Sequence, residues 1–299
     1  MDVEPIQSNP IQAEGAEARS QRIQARRAAY AARIMALAGI STETDLGSRI
    51  AAAFRAIPRE KFVGTPPWKV LSYADHIQEI TDESDELYQD DLLPLGVGRG
   101  LNNGQPSLHA QCLAALAPAL GECVVHVGAG TGYYTAMLAM LVGANGRVEA
   151  YEIEPELARR ARENLAEFPQ VEMHCCSGAV APLPPCDMLY VNASAPEPLA
   201  VWLDALRPGG RLLFPLAPRE GTGEMLLVTS KADGTYPARF LCGVQFVSCV
   251  GAQNAQADRA LDEALMTRHW GTVRRLHRDD RPDESRWCAG RGWWLSTRE

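Results

Sequence analysis

Apolar positions recur at helical spacing twice near the start of the chain. Over 18–38, Ile23, Tyr30, Ile34 and Leu37 fall on one face and five arginines lie elsewhere, which predicts a packing helix with a solvated basic face. A partner-binding arm is the other reading of that helix. Over 44–56 a second stripe of Leu46, Ile50 and Phe54 leads to Ile57, and Pro58 ends it. Residues 1–17 show no periodicity and are expected to form a mobile tail. Residues 59–106 are rich in Pro, Gly and Asp and predict a long structured loop region with short strands. Loops of that length are uncommon in compact domains unless they serve a function. Pro106 opens a helix running to about 117, since its fixed φ suits the first helical position.

From 123 onward the pattern alternates. Short apolar runs at 123–127, 147–152, 171–175, 187–192 and 211–215 predict strands, separated by helical stretches at 132–142, 155–167 and 198–206. Strands alternating with helices predict an α/β fold with a parallel, doubly wound sheet. Runs at 224–230 and 240–247 add a reversed C-terminal β-hairpin. The expected organisation is N-terminal helices and an active-site loop region over 18–106, the α/β domain over 107–250, and an extension over 251–299. That extension holds a helix at 256–268 and Trp270, Trp287, Trp293 and Trp294, which either pack on the core or form a binding platform.

Composition narrows the function. The chain has 299 residues, 46% of them hydrophobic, with 29 basic against 37 acidic side chains and a formal charge of −8. So acidic a chain is poorly suited to a nucleic-acid backbone, and no nucleic-acid partner is expected. The most apolar stretch, 135–142, is far short of the ~20 residues of a membrane span, and no secretory signal is visible. No membrane association is therefore expected, and a cytoplasmic setting is. None of the eight cysteines forms a Cys-x-x-Cys pair, so neither a metal site nor a disulfide scaffold is expected.

The most informative stretch is CVVHVGAGTGYYTAMLA, residues 123–139. A buried strand runs into Gly128, Gly130 and Gly132 and then a helix. Glycines there let the backbone turn sharply and approach a ligand. Tyr133 stands where a dinucleotide fingerprint needs its third glycine, so the loop suits S-adenosylmethionine better than a pyrophosphate. About twenty residues on, the second strand ends in Glu152, placed to accept both ribose hydroxyls of an adenosine cofactor, with Glu154 as fallback.

These segments resemble the protein-L-isoaspartate O-methyltransferase family over roughly residues 55–250. The likeness is carried in order by IPREKFV at 57–63, LYQDDL at 87–92, Gly96-Val97-Gly98, Gln105-Pro106, GAGTGYYTAMLA, Glu152 with Leu157, Asp187 in CDMLYV, NASAPEPL, and RPGGRL followed by Pro215. The glycine loop and PGGRL are common to many methyltransferases; the upstream segments are more specific. The resemblance implies a Rossmann-like sheet, S-adenosylmethionine as methyl donor, and a carboxylate on a protein or peptide as acceptor. It implies cofactor contacts from His126, Gly128, Gly130, Gly132, Tyr133, Glu152, Ser177, Gly178 and Asn192. Asn103, Gly104 and Gln105, in the loop from Asn102 to Gln105, are implied to cover the donor methyl and orient the acceptor. A specialised acceptor, or a non-catalytic relative that binds a peptide, remains open.

Three positions depart from the family pattern. Gly104 falls where the family carries a serine hydroxyl, so restoring serine is expected to raise isoaspartyl methylation, and Asn103 is the candidate replacement donor. His126 replaces an acid near the donor's amino group; it either faces the cofactor as a neutral acceptor or is a hydrogen-bonded core residue. Ser177 replaces an aspartate that reads the adenine amino group.

Overall fold

The computed structural model describes residues 16–71, 77–79, 84–96, 100–180, 182–267 and 269–299. The expected tail, but for its last two residues, lies outside them, as do Val97 and Gly98. Helix α1 (Ala16–Leu37) packs on α2 (Asp45–Ala56). Its buried stripe is Tyr30, Ala31, Ile34 and Met35, and Leu37 is 51% exposed. At 100° per residue Leu37 falls off the edge of that stripe, correcting the expected face. Thr44 begins α2 by accepting from Gly47 N, and Ile57 leaves it in extended conformation before Pro58.

The region after α2 is held by one buried cation. Arg59, wholly buried, donates to the carbonyls of Leu87 (2.6 Å), Gln89 (2.7 Å) and Asp91 (2.5 Å). That fixes Asp90, which accepts from Ser107 N (2.7 Å), Ser107 Oγ (2.7 Å) and Gln105 Nε2 (3.0 Å) at the start of α3 (Pro106–Leu116). A carboxylate there satisfies orphan N–H groups and complements the helix dipole. The strands β1 (Lys69–Leu71) and β2 (Ile77–Glu79) pair with each other apart from the main sheet.

Among the described residues the main sheet has ten strands. β3 (Cys123–Val127), β4 (Arg147–Tyr151), β5 (Val171–His174), β6 (Cys186–Val191) and β7 (Leu206–Leu216) are parallel. Helix α4 (Tyr133–Val142) follows β3, α5 (Pro155–Asn164) follows β4, and the short α6 (Ala200–Ala205) precedes β7. β8 (Gly223–Thr229) and β9 (Tyr236–Val244) continue antiparallel. The expected hairpin is therefore present but not terminal: after α7 (Ala255–Met266), β10 (Arg275–His277), β11 (Arg286–Gly290) and β12 (Trp293–Ser296) extend the sheet beyond β9. The order is β11-β12-β10-β9-β8-β7-β6-β3-β4-β5.

Period-2 alternation sends residues of each strand to opposite layers. Val124, Met188, Tyr190 and Leu213 pack under α1–α4, while Val125, Leu189, Val191 and Phe214 pack with α6 and α7. Leu261, Leu276, Cys288, Trp293 and Leu295 belong to that second layer, so the tryptophans at 293 and 294, each 4% exposed, are packing residues. Two stitches join distant parts. Thr131 Oγ1 donates to Phe62 O (2.6 Å), tying the glycine loop to the N-terminal region. Arg211 on β7 grips both oxygens of Glu122 (2.6 and 3.0 Å) and donates from Nε to Leu116 O (2.9 Å).

Candidate active site

β3 has β4 on one side and β6 on the other, so the chain reverses its winding direction there. Open α/β sheets bind ligands at the carboxyl ends of the strands at such a switch point. A cavity of about 310 Å³ opens at that place, walled by the ends of β3, β4 and β6, by Leu95 and Leu101, and by residues 247–250.

Gly128 lies in the cavity wall at φ +77°, and a Cβ there would sit 3.2 Å from the Asn192 carbonyl. A side chain would be strained and crowded, which leaves the backbone bare toward the cavity. Gly130 also lines it. Gly132 does not: a Cβ there would meet Leu165 Cδ1 at 2.8 Å, so this glycine lets α4 pack and does not form the cradle expected of it.

Glu152, just past β4, is 7% exposed and forms part of the wall. Its Oε2 accepts from Gly130 N (2.7 Å) and its Oε1 from Glu154 N (2.9 Å). Burial raises its pKa, and these two amides oppose the rise. The Ile153 amide adds a third bond, and four acceptor sites against three amides leave the carboxylate held rigidly with acceptor capacity to spare.

His126 settles into the second of its two readings. It is wholly buried, Nδ1 lies 2.9 Å from Thr135 Oγ1, and Nε2 lies 2.8 Å from Asn192 Nδ2. An amide Nδ2 only donates, so Nε2 accepts and Nδ1 carries the proton. Burial lowers its pKa to about 3, and the ring is neutral. It stands behind Asn192, which does line the cavity. Tyr133 is buried away from the cavity, its hydroxyl 3.4 Å from that of Tyr30, and makes no wall. Ser177 and Gly178 line the cavity. The Ser177 hydroxyl has used its one proton, donating to Val250 O (2.5 Å) and accepting from Ala179 N (3.1 Å), so it ties two walls together and keeps one lone pair.

The acceptor-side loop also differs from expectation. Asn103 is buried, and its Oδ1 accepts from Leu93 N (3.0 Å). Gln105 binds Asp90 at the start of α3. Gly104 has φ +72°, and a Cβ there would lie 2.8 Å from His109 Cδ2 and closer still to Nε2. An imidazole thus fills the direction in which a serine would point. None of the three is in the cavity wall, whereas Asn102 is, its Oδ1 accepting from Gly104 N (2.9 Å). The wall at 247–250 went unnoticed in the sequence, because Val247-Ser248-Cys249-Val250 reads as a strand end and carries no chemical signature.

Elsewhere, Glu149, Glu172 and His174 bring three ligand-type atoms within 4.8 Å of one another, but Arg147 pairs with both carboxylates and offsets one of their two charges. The described cysteines are all free. No helix among the described residues is long and apolar enough to cross a membrane.

Residues 40–254 match the profile of the family described as protein-L-isoaspartate(D-aspartate) O-methyltransferase. A protein-L-isoaspartate O-methyltransferase from Methanopyrus kandleri is 33% identical over 214 residues, covering 70% of this chain and 86% of its own length. One from Aeropyrum pernix is 33% identical over 219 residues, covering 70% and 75%. Among solved structures, a Plasmodium falciparum beta-aspartate methyltransferase in complex with S-adenosyl-L-homocysteine superposes with a TM-score of 0.58 at 20% identity, covering 75% of this chain and 98% of that one. That likeness supports the Rossmann-like fold. A profile match over most of the chain, and relatives at this identity, show that the chain belongs to the protein-L-isoaspartate O-methyltransferase family.

Proposed function

We propose that this chain transfers the methyl group of S-adenosylmethionine to an isoaspartyl-type carboxylate of a protein or peptide, leaving a methyl ester and S-adenosylhomocysteine. The observation that carries the reading is Glu152. It is a buried carboxylate at the end of the second parallel strand, oriented by Gly130 N and Glu154 N, in the wall of a cavity beside bare glycine backbone. Those residues fit the group: Glu152 holds the ribose, Gly128 and Gly130 admit the methionyl part, and Ser177 with Gly178 edge the adenine. When bound, S-adenosylmethionine supplies a methyl carbon made electrophilic by its sulfonium.

The chain's own task is placement. Leu95 and Leu101 shield one side of the cavity from water, and Asn102 presents an amide beside it. Methyl transfer is an in-line displacement, in which positioning and dehydration of the nucleophile do most of the catalysis. A carboxylate acceptor is ionised at pH 7 and needs no general base. A second reading, a different carboxylate acceptor, is favoured by one observation: His109 fills the space a serine at 104 would take.

Calorimetric titration with S-adenosylhomocysteine, followed by radiolabelled methyl transfer to an isoaspartyl peptide, tests both. Binding with transfer is the expected result. Binding without transfer selects the second reading, and no binding defeats the first and second together. Glu152→Gln keeps one acceptor oxygen and loses the other, and is expected to weaken cofactor binding ~10- to 100-fold, the worth of one or two hydrogen bonds to a charged group. Unchanged affinity in that variant would remove the ribose assignment.

A further inference from the structure

The family match ends at residue 254, within the C-terminal extension over 251–299, and that extension reaches back to a loop that begins in the cavity wall. Glu197 lies in the loop between β6 and α6, the same loop whose first residues, Asn192 and Ala193, line the cavity. Both of its carboxylate oxygens are taken from outside that loop. Oε1 accepts from Asn254 Nδ2 (2.7 Å), and Oε2 accepts from Trp293 Nε1 (3.0 Å).

Neither donor is free to turn away. Asn254 is the N-cap of α7, and its Oδ1 accepts from Gln256 N (3.1 Å) and Ala257 N (3.2 Å), which leaves Nδ2 facing Glu197. Trp293 is 4% exposed on β12 and pairs across the hairpin with Gly290. A Cβ at Gly290 would lie 2.6 Å from Trp293 Cε2, so the glycine makes room for the indole.

The grip continues into the opposite wall. Ser194 N donates to Val247 O (2.8 Å), and Cys249 N donates to Ser194 O (2.8 Å). Residues 247–250 line the cavity, and Gln253 Nε2, next to Asn254, donates to Cys249 O (3.1 Å). Two groups of hydrogen bonds, Trp293–Glu197–Asn254 and Gln253–Cys249–Ser194–Val247, are therefore joined along the chain at 194–197 and 253–254 and link β12 and α7 to two sides of the cavity.

We infer that the C-terminal extension is a brace for the donor cavity, with Glu197, Asn254 and Trp293 as positioning residues for methyl transfer. This rests on the cavity being the donor site. The brace acts by holding segments 192–199 and 247–250 in the conformation that receives the donor, so that binding does not carry the entropy of ordering them. Each of the three acts through the wall it holds and touches no reacting atom.

Trp293→Phe keeps the ring packing and removes the N–H donor. Glu197→Gln keeps the shape and sets an amide donor against a donor. Glu284→Gln is the control: Glu284 pairs with Arg298 within the same extension and makes no hydrogen bond to the loop. S-adenosylhomocysteine affinity and hydrogen exchange are measured for each full-length protein. The expected result is a ~3- to 10-fold rise in Kd for Trp293→Phe and Glu197→Gln, the worth of one hydrogen bond. Faster exchange confined to 192–199 and 247–250 should accompany it, with the control like wild type. The double variant should be no worse than the weaker-binding single one, since both remove one contact. Unchanged Kd and exchange, or changes equal to those of Glu284→Gln, would overturn the brace. If the wild type itself fails to bind the cofactor product, the functional proposal falls. The brace is then judged on exchange alone, and the same local acceleration or its absence decides.

Discussion

His109 is buried against Tyr190 and Tyr134, with Nδ1 2.6 Å from the Tyr190 hydroxyl and its ring stacked at 3.5 Å on that of Tyr134. A ring held on two sides cannot swing aside for a new side chain at 104. The φ of +72° at Gly104 adds a strain of about 1–2 kcal/mol for any L-residue. Gly104→Ser is therefore expected to lower the melting temperature by several degrees and to reduce methyl transfer, reversing the expectation drawn from the sequence. Adding His109→Ala should recover part of the lost stability by freeing the space. Thermal melts and peptide methylation across the two variants and their combination check this, and a faster, equally stable Gly104→Ser would refute it. Position 104 was legible as a departure, because its neighbours Gln105-Pro106 fix the alignment. Its cause was not, because a residue five positions away must first be brought round by α3. The same holds for His126, whose two readings differ only in which atoms lie beside it. Glu152, Gly128 and Gly130 needed only their places at strand ends, and those are written locally.

At the scale of elements, α3 on one side and β3 with β6 on the other enclose two histidines around Tyr190. Burial lowers the pKa of both, to about 3 for His126 and well below the usual value for His109. In the unfolded chain each titrates near 6.5. Between its folded and unfolded values each group binds more protons in the unfolded state, so both contributions are whole above pH 6.5 and fall on acidification, that of His126 until about pH 3. Each such group tilts stability by up to about 1.4 kcal/mol per pH unit within that window. Denaturant titrations from pH 7 to 4 should show stability falling on acidification. His126→Gln should flatten the slope by about one group, and an unchanged slope would exclude His126 as a source. Periodicity revealed the parallel strands and their helices because both faces of that sheet are covered and its strands are near-continuous apolar runs. It missed the start of β9 at Tyr236, where Pro237 reads as a breaker and in fact sits opposite Arg275. It also missed β10–β12: β10 has three residues, RWCAG in β11 and WWLS in β12 do not alternate, and all three are defined by the strands beside them.

Over the whole molecule the ten-stranded sheet joins a parallel half, where the cavity lies, to an antiparallel half that ends in the extension. Within the parallel half, Arg211 ties β7 to the start of β6 and to the segment before β3, at the end away from the cavity. Its guanidinium takes Glu122 at a separation of 89 residues, together with the carbonyls of Leu116 and Asp187. The pair is mostly buried, at 18% and 17% side-chain exposure, so removing one partner leaves the other charge uncompensated. Arg211→Met is expected to cost about 3 kcal/mol. That contact also has a consequence in time. A bond between residues so far apart in sequence closes after the local hairpins and βα units have formed, because the chain must first lose the entropy of a long loop. Its loss should leave the refolding rate nearly untouched and raise the unfolding rate, about a hundredfold if the full cost falls on that limb. Stopped-flow chevrons of wild type and Arg211→Met would show it as a shift of the unfolding arm alone. The stitch far from the chemistry would then set how long a folded molecule lasts between openings, and hence its working lifetime at elevated temperature.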